Sequence, residues 1–173
     1  MKKLLILMLA STFVLVLALT CTACVKDDPL PPKDELAEAI AALPQSASVN
    51  FLWDRLGGYW NTTDSLFFAF ESEEGATGVS FGIWNSGGLG FGELLDAESQ
   101  GKYEAALTIR FASRPASEMD DAREEFTVIV YIDLGDLEKD GKIRIKVANH
   151  GNGEWYTYAF GGKTSDDAYN SAH

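Results

Sequence analysis

Residues 102–112 read KYEAALTIRFA, and their alternation decides the fold class. Tyr103, Ala105, Leu107, Ile109 and Phe111 fall on one side, with Lys102, Glu104, Thr108 and Arg110 on the other. A period of two is that of a strand with one face buried and one face in water. The period recurs in both directions from this stretch. Upstream, Ser65–Ser72 carries Leu66, Phe68 and Phe70 on one face, and Thr77–Trp84 carries Val79, Phe81 and Ile83. Downstream, Phe126–Ile132 offers Phe126, Val128, Val130 and Ile132. Lys142–Val147 sets Ile143, Ile145 and Val147 against Lys142, Arg144 and Lys146, and Glu154–Phe160 is an aromatic strand.

Gly58–Thr62 and Gly87–Asp96 complete a set of eight. In the second of these, Gly88, Gly90 and Gly92 alternate with Leu89, Phe91 and Glu93. The glycines are expected on one face, where they allow a bend or the close approach of a backbone or ligand. Turn residues separate the strands at Thr63-Asp64, Glu73–Gly75, Asn85–Gly87, Ala97–Gly101, Asp140-Gly141 and His150–Gly153. The long acidic stretch Ser113–Glu125 is the exception. Eight successive antiparallel strands predict a mainly β domain, an eight-stranded up-and-down barrel, because closure removes exposed sheet edges. A β-sandwich is the alternative arrangement of the same strands.

Ahead of the strands, DELAEAIAALP (34–44) predicts a short N-terminal helix, with Asp34 as its cap and Pro44 past its end. Leu36, Ala39, Ile40 and Leu43 form its apolar stripe. Gln45–Ser48 reads as a linker, and Phe51–Leu56 as a helical turn leading into Gly57-Gly58. The tail Thr164–His173 is polar and is expected to be disordered.

The chain opens with Lys2 and Lys3, then an apolar run Leu4–Leu19, then small residues. That order is a secretory signal peptide. The run is a little short for a spanning helix, which takes roughly 20 apolar residues. Both cysteines, Cys21 and Cys24, follow it directly. On the residues alone the pair has four readings: a small disulfide, a CxxC redox or metal pair, plain hydrophobes of an uncleaved anchor, or a lipidation site at Cys24. Thr22-Ala23-Cys24 resembles the small-small-Cys end of the bacterial lipoprotein box, with Cys21 where Leu is usual. The resemblance implies a diacylglycerol on Cys24, and two acyl chains anchor stably where one does not. It implies a place on the extracytoplasmic face of a bacterial membrane.

The chain then divides into a signal peptide (1–23), a tether with Pro-rich spacer and short helix (24–48), a barrel (49–163) and a tail (164–173). Residues 1–23 carry Lys2 and Lys3 and no acid, so 12 basic residues face 26 acids in the remainder, a balance of −14. That excess argues against nucleic acid as a partner, because phosphates need a basic patch. It argues equally against an anionic membrane surface held by charge.

Leu56-Gly57-Gly58-Tyr59-Trp60 places a Gly-x-Trp on the first strand, after a helical turn and before seven further strands. This resembles the lipocalin and wider calycin barrels over roughly residues 50–163. The resemblance implies that Trp60 plugs the closed end of a barrel as a structural residue. It also implies a basic residue from the last strand over that ring, for which Lys163 is the nearest candidate.

Several motifs imitate chemistry. Asp136, Glu138, Asp140 and Gly141 match the first half of a calcium loop, but position 12 is Val147 where a bidentate Glu belongs. An Asp-Gly hairpin turn accounts for the string better. Gly161-Gly162-Lys163-Thr164 imitates a phosphate loop, yet Thr157 stands where the first Gly is required. Tyr156 and Phe160 echo a haem-binding tyrosine spacing with Phe in the second place. His150 and His173 are a turn residue and the last residue. No nucleophile with a base, metal cluster or cofactor fingerprint emerges, so the expectation is a non-enzyme without cofactor or metal.

Two functions remain. The first is a binding barrel for a small apolar ligand, lined by Phe68, Phe81, Tyr103, Phe111 and Phe126, with Ala69, Gly82, Gly90 and Ala105 leaving room. The second is a filled barrel acting as a protein-interaction or envelope-accessory module. Eight strands suit either, since such an interior is just wide enough to be filled or to hold one small ligand. The expected partners are the membrane, through lipid on Cys24, and the ligand; a protein partner stays open.

Overall fold

Alternation gives each strand one apolar face, and antiparallel pairing joins these faces into a single interior. A computed structural model describes residues 34–73, 75–112, 125–148 and 153–173. Cys24, His150 and nearly all of the acidic stretch after Ser113 lie outside the described residues. The strands are β1 (Gly58–Asn61), β2 (Leu66–Glu73), β3 (Ala76–Ile83), β4 (Gly87–Ser99), β5 (Glu104–Ala112), β6 (Glu125–Asp133), β7 (Lys142–Val147) and β8 (Tyr156–Gly162). Each pairs antiparallel with the next, and β8 returns to β1 through Trp60↔Phe160 and Asn61↔Ala159, closing a barrel. Closure sets the sandwich arrangement aside.

The registers stack the apolar faces. Phe68 faces Trp60 on one side and Phe81 on the other, while Leu107 faces Val130 and Ile132 faces Ile145. Phe68, Phe70 and Phe111 are all within 2% of complete burial. Charged residues such as Lys142 and Arg144 point outward. This apolar-in, polar-out order is the reverse of that in membrane-spanning barrels.

The glycines of β4 do not share a face, contrary to the alternation. Val79 faces Gly92 and Phe81 faces Leu89, so Gly90 and Phe91 together oppose Ser80. Such a bulge shifts the alternation by one residue. Gly88 then pairs with Gly82 on the outer face, whereas Gly92 lies inward, where a Cβ would sit 2.5 Å from the Phe111 ring. β4 also runs on to Ser99, through the expected turn, after a second register shift between Leu94 and Asp96.

Two helices precede the barrel, α1 (Glu35–Ala41) and α2 (Ser46–Leu56). The 45–48 linker is therefore the start of α2. Val49, Leu52, Trp53 and Leu56 give it a 3.6-residue stripe, and Leu52 and Leu56 are completely buried. The β6–β7 connection is longer than an Asp-Gly hairpin: it holds a single turn, α3 (Leu137–Asp140), ended by Gly141 at φ 63°. That left-handed value suits glycine, which has no Cβ to clash.

The tail is ordered, which overturns the expectation of disorder. Ser165–Ala172 forms α4, capped by the Thr164 hydroxyl, which accepts from the Asp167 amide and donates to its carboxylate. A capping pair of this type fixes the first turn. Packing supplies the remainder. Ala168 is fully buried, and Asn61 of β1 donates to its carbonyl at 2.8 Å. Gly161 provides the space, since a Cβ there would lie 3.1 Å from that of Ala168.

Candidate functional site

The two ends of the barrel differ. At the end where β1 begins, α2 lies across the opening. Trp60, 3% exposed, donates its indole N–H to the Leu56 carbonyl at 2.8 Å. Trp53 donates to the Gly78 carbonyl at 3.0 Å and meets Phe70 edge to face at 5.5 Å. Gly58 sits at φ 116°, and a Cβ there would come within 2.7 Å of the Gly162 carbonyl, so the glycine of the Gly-x-Trp is sterically required. Lys163 does not cover Trp60. It donates to the Gly57 carbonyl at 2.7 Å and lies over the Phe160 ring, which in turn meets Trp60 edge to face.

The opposite end, where β2 starts and β7 finishes, is open. A cavity of about 400 Å³ lies there, bordered by Leu66, Phe81, Ile83 and Leu89 from one half of the wall. Ile145 and Val147 of β7 and Tyr156 and Tyr158 of β8 border it from the other half. Phe67, Gly82, Gly87 and Gly88 complete the lining along the β2–β4 rim. Trp84 stacks on Phe67 at 4.5 Å. No charged side chain lines the cavity. Tyr158 is only 6% exposed, and burial pushes its phenol up to about 12, so it stays protonated at neutral pH.

Of the five expected lining residues, only Phe81 borders this cavity. Phe68 and Phe111 fill the interior beneath it: Phe68 stacks on Phe81 at 5.8 Å, and Phe111 meets Phe81 edge to face at 5.5 Å. Phe126 stacks on Phe111 at 5.7 Å from a strand end and remains 37% exposed. Tyr103 lies before β5, at the closed end. Its hydroxyl donates to Asp34 at 2.6 Å, and Asp34 also caps α1 by accepting from the Ala37 amide. Tyr103, Lys102 and that amide together hold the Asp34 carboxyl at about 2. Tyr103 thus fixes α1 in place and faces no ligand space.

The lining residues that alternation did not single out are Leu66, Ile83, Leu89, Ile145, Val147, Tyr156 and Tyr158. Leu66, Ile83, Ile145 and Val147 sit on expected apolar faces and the two tyrosines in the expected aromatic strand, all within two residues of a strand end at the mouth. Phe68, Phe111 and Phe126 lie as close to a mouth end without bordering the cavity, so alternation and position along the strand do not separate lining from floor.

No family model matches the chain, and no curated protein or solved structure matches it significantly.

Along the outer wall, Arg144 pairs with Asp133 and lies over the Trp155 ring at 5.5 Å. Lys146 is held between two rings, Tyr131 at 4.5 Å and Trp155 at 5.0 Å. Among the described residues, no group of three or more His, Cys, Asp and Glu is placed to hold a metal ion.

Proposed function

We propose that the chain is a lipid-tethered extracytoplasmic protein whose barrel mouth binds a small apolar molecule without transforming it. The observation that carries the binding is the uncharged, apolar, half-open cavity of about 400 Å³ above a filled interior. Small-molecule sites are concave, mostly apolar and roughly 300–1,000 Å³ in volume. The packed floor of Phe68, Phe81 and Phe111 limits the ligand to the outer part of the barrel. The Thr22-Ala23-Cys24 resemblance supports the tether.

Native mass spectrometry of the chain after exposure to extract of its own cells tests the binding. A stoichiometric small-molecule adduct, lost in Val147→Trp, is the expected outcome. A bare mass, with wild type and variant alike, contradicts it. Palmitate labelling tests the tether: the wild type takes label and Cys24→Ser does not.

The outer wall favours a second reading, a protein-interaction module. Ile129 and Trp155 are 41% and 37% exposed beside Arg144 and Lys146. Aromatic and arginine side chains are the types enriched at interface centres. A reproducible protein partner lost in Trp155→Ala, with no adduct at the mouth, decides for this reading.

A further inference from the structure

The cavity at the mouth contains one deeply buried side-chain polar group that the fold leaves unused. Tyr156 and Tyr158 supply the only side-chain polar atoms of its lining. Tyr156, at the start of β8, is 37% exposed and its hydroxyl is free to bond water. Tyr158, two residues deeper, is 94% buried by the same measure. Its ring packs edge to face on Phe68 at 6.3 Å, and its backbone pairs with Ile143 of β7. Among the described residues its hydroxyl meets no hydrogen-bond partner. Among the described residues no partnerless side-chain polar atom is completely sealed, so this hydroxyl, on a residue that lines the cavity, opens onto it.

A phenol this deeply buried gives up most of its contact with water and gains no bond from the fold in return, which is costly unless something in the cavity bonds it. Interiors rarely retain such groups without reason. A hydrophobe of the same shape, phenylalanine, would fill the position beside Phe68 without that cost.

Resting on the reading of the mouth as a ligand site, we infer that Tyr158 selects the ligand: its hydroxyl donates a hydrogen bond to an acceptor oxygen, and the mouth takes neutral carbonyl-bearing hydrocarbons such as esters and ketones. The direction of the bond follows from chemistry. A protonated phenol is a donor toward a carbonyl, and burial keeps this one protonated far above neutral pH. The same lining disfavours acids. A carboxylate entering the cavity would leave water for a site without a single cationic side chain. A bare hydrocarbon fits the walls yet leaves the phenol unsatisfied.

The test compares methyl octanoate with undecane, which match in heavy-atom number, on the full chain by calorimetric titration. The variants are Tyr158→Phe and, as a control at the rim, Tyr156→Phe. Tyr158→Phe is expected to weaken the ester roughly three- to tenfold, the value of one hydrogen bond, and to leave undecane within about twofold. Tyr156→Phe is expected to leave both within about twofold, because water satisfies its hydroxyl. Octanoate at neutral pH is expected to bind more weakly than its methyl ester. The denaturation midpoint of Tyr158→Phe should equal or exceed that of the wild type, since no bond within the protein is lost. Equal effects of Tyr158→Phe on ester and hydrocarbon, or no effect on the ester, overturn the selection and leave the mouth as a ligand site. Failure of the wild type to bind either probe removes the mouth reading, and the selection with it.

Discussion

At one end of the barrel Trp53 and Trp60 are buried, and each donates its indole N–H to a backbone carbonyl. At the other end Ile83 is 45% exposed, Tyr156 is 37% exposed, and the Tyr158 hydroxyl has no partner among the described residues. The strands at both ends obey the same alternation, so alternation does not produce the difference. An added element does. The α2 stripe of Leu52, Trp53 and Leu56 covers the first end, and no described helix covers the second. Strands alone yield a tube. A helix turns it into a cup.

Breaking the closed end has the largest expected effect. Trp60→Ala removes a buried indole and its bond to Leu56, and is expected to cost about 3–5 kcal/mol in denaturant titration. Ile83→Ala at the mouth, half-exposed already, is expected to cost less than about 1 kcal/mol. Similar losses at the two positions would erase the contrast.

A smaller change sharpens it. Trp53→Phe retains an aromatic ring against Phe70 and removes the donor to the Gly78 carbonyl. The expected cost is about 1–3 kcal/mol, because a buried acceptor loses its partner. Below that lies the tail. Thr164→Ala removes the cap of α4 and should cost about 1 kcal/mol, read from the urea midpoint. An unchanged midpoint would mean that α4 contributes nothing to the wall it covers.

The finest probe is acid. Asp34 is lowered from 3.8 to about 2, chiefly by the Tyr103 hydroxyl, then by Lys102 and the Ala37 amide. A depressed folded value means that the unfolded chain takes the proton first, so this contribution is present above about pH 4 and lost toward pH 2. Urea midpoints across that window should fall more steeply for the wild type than for Asp34→Asn. Parallel slopes would separate Asp34 from the closed end.

Much of the fold was legible because burial on one strand face leaves a local trace. Leu107, Ile109 and Phe111 declare their strand without help from distant residues. The bulge in β4 leaves no such trace: Gly90 and Phe91 alternate regularly, and only the pairing with β3 shows them opposite one residue. Tyr103 continues the β5 alternation, yet its hydroxyl reaches Asp34, 69 positions away in the chain. In α4 the polar composition hid a helix whose local signal was the Thr164–Asp167 cap. Its anchoring by Asn61 and Gly161 is long-range. The site was the least legible part. Apolar residues at the mouth and in the floor alternate alike, and Ile145 and Phe68 each lie two residues from the mouth end of their strand, so only the three-dimensional packing separates them.

The indole N–H signals test this asymmetry most directly. Trp53 and Trp60 report the covered end, and Trp84, which donates its indole N–H to Asn61, reports the mouth through the cavity-bordering Phe67 ring on which it stacks. Titration of the full chain with methyl octanoate, followed by heteronuclear NMR, should shift the Trp84 indole in a saturable manner and leave those of Trp53 and Trp60 in place. Saturable shifts at Trp53 and Trp60 with Trp84 unmoved would place the opening at the wrong end and contradict the account.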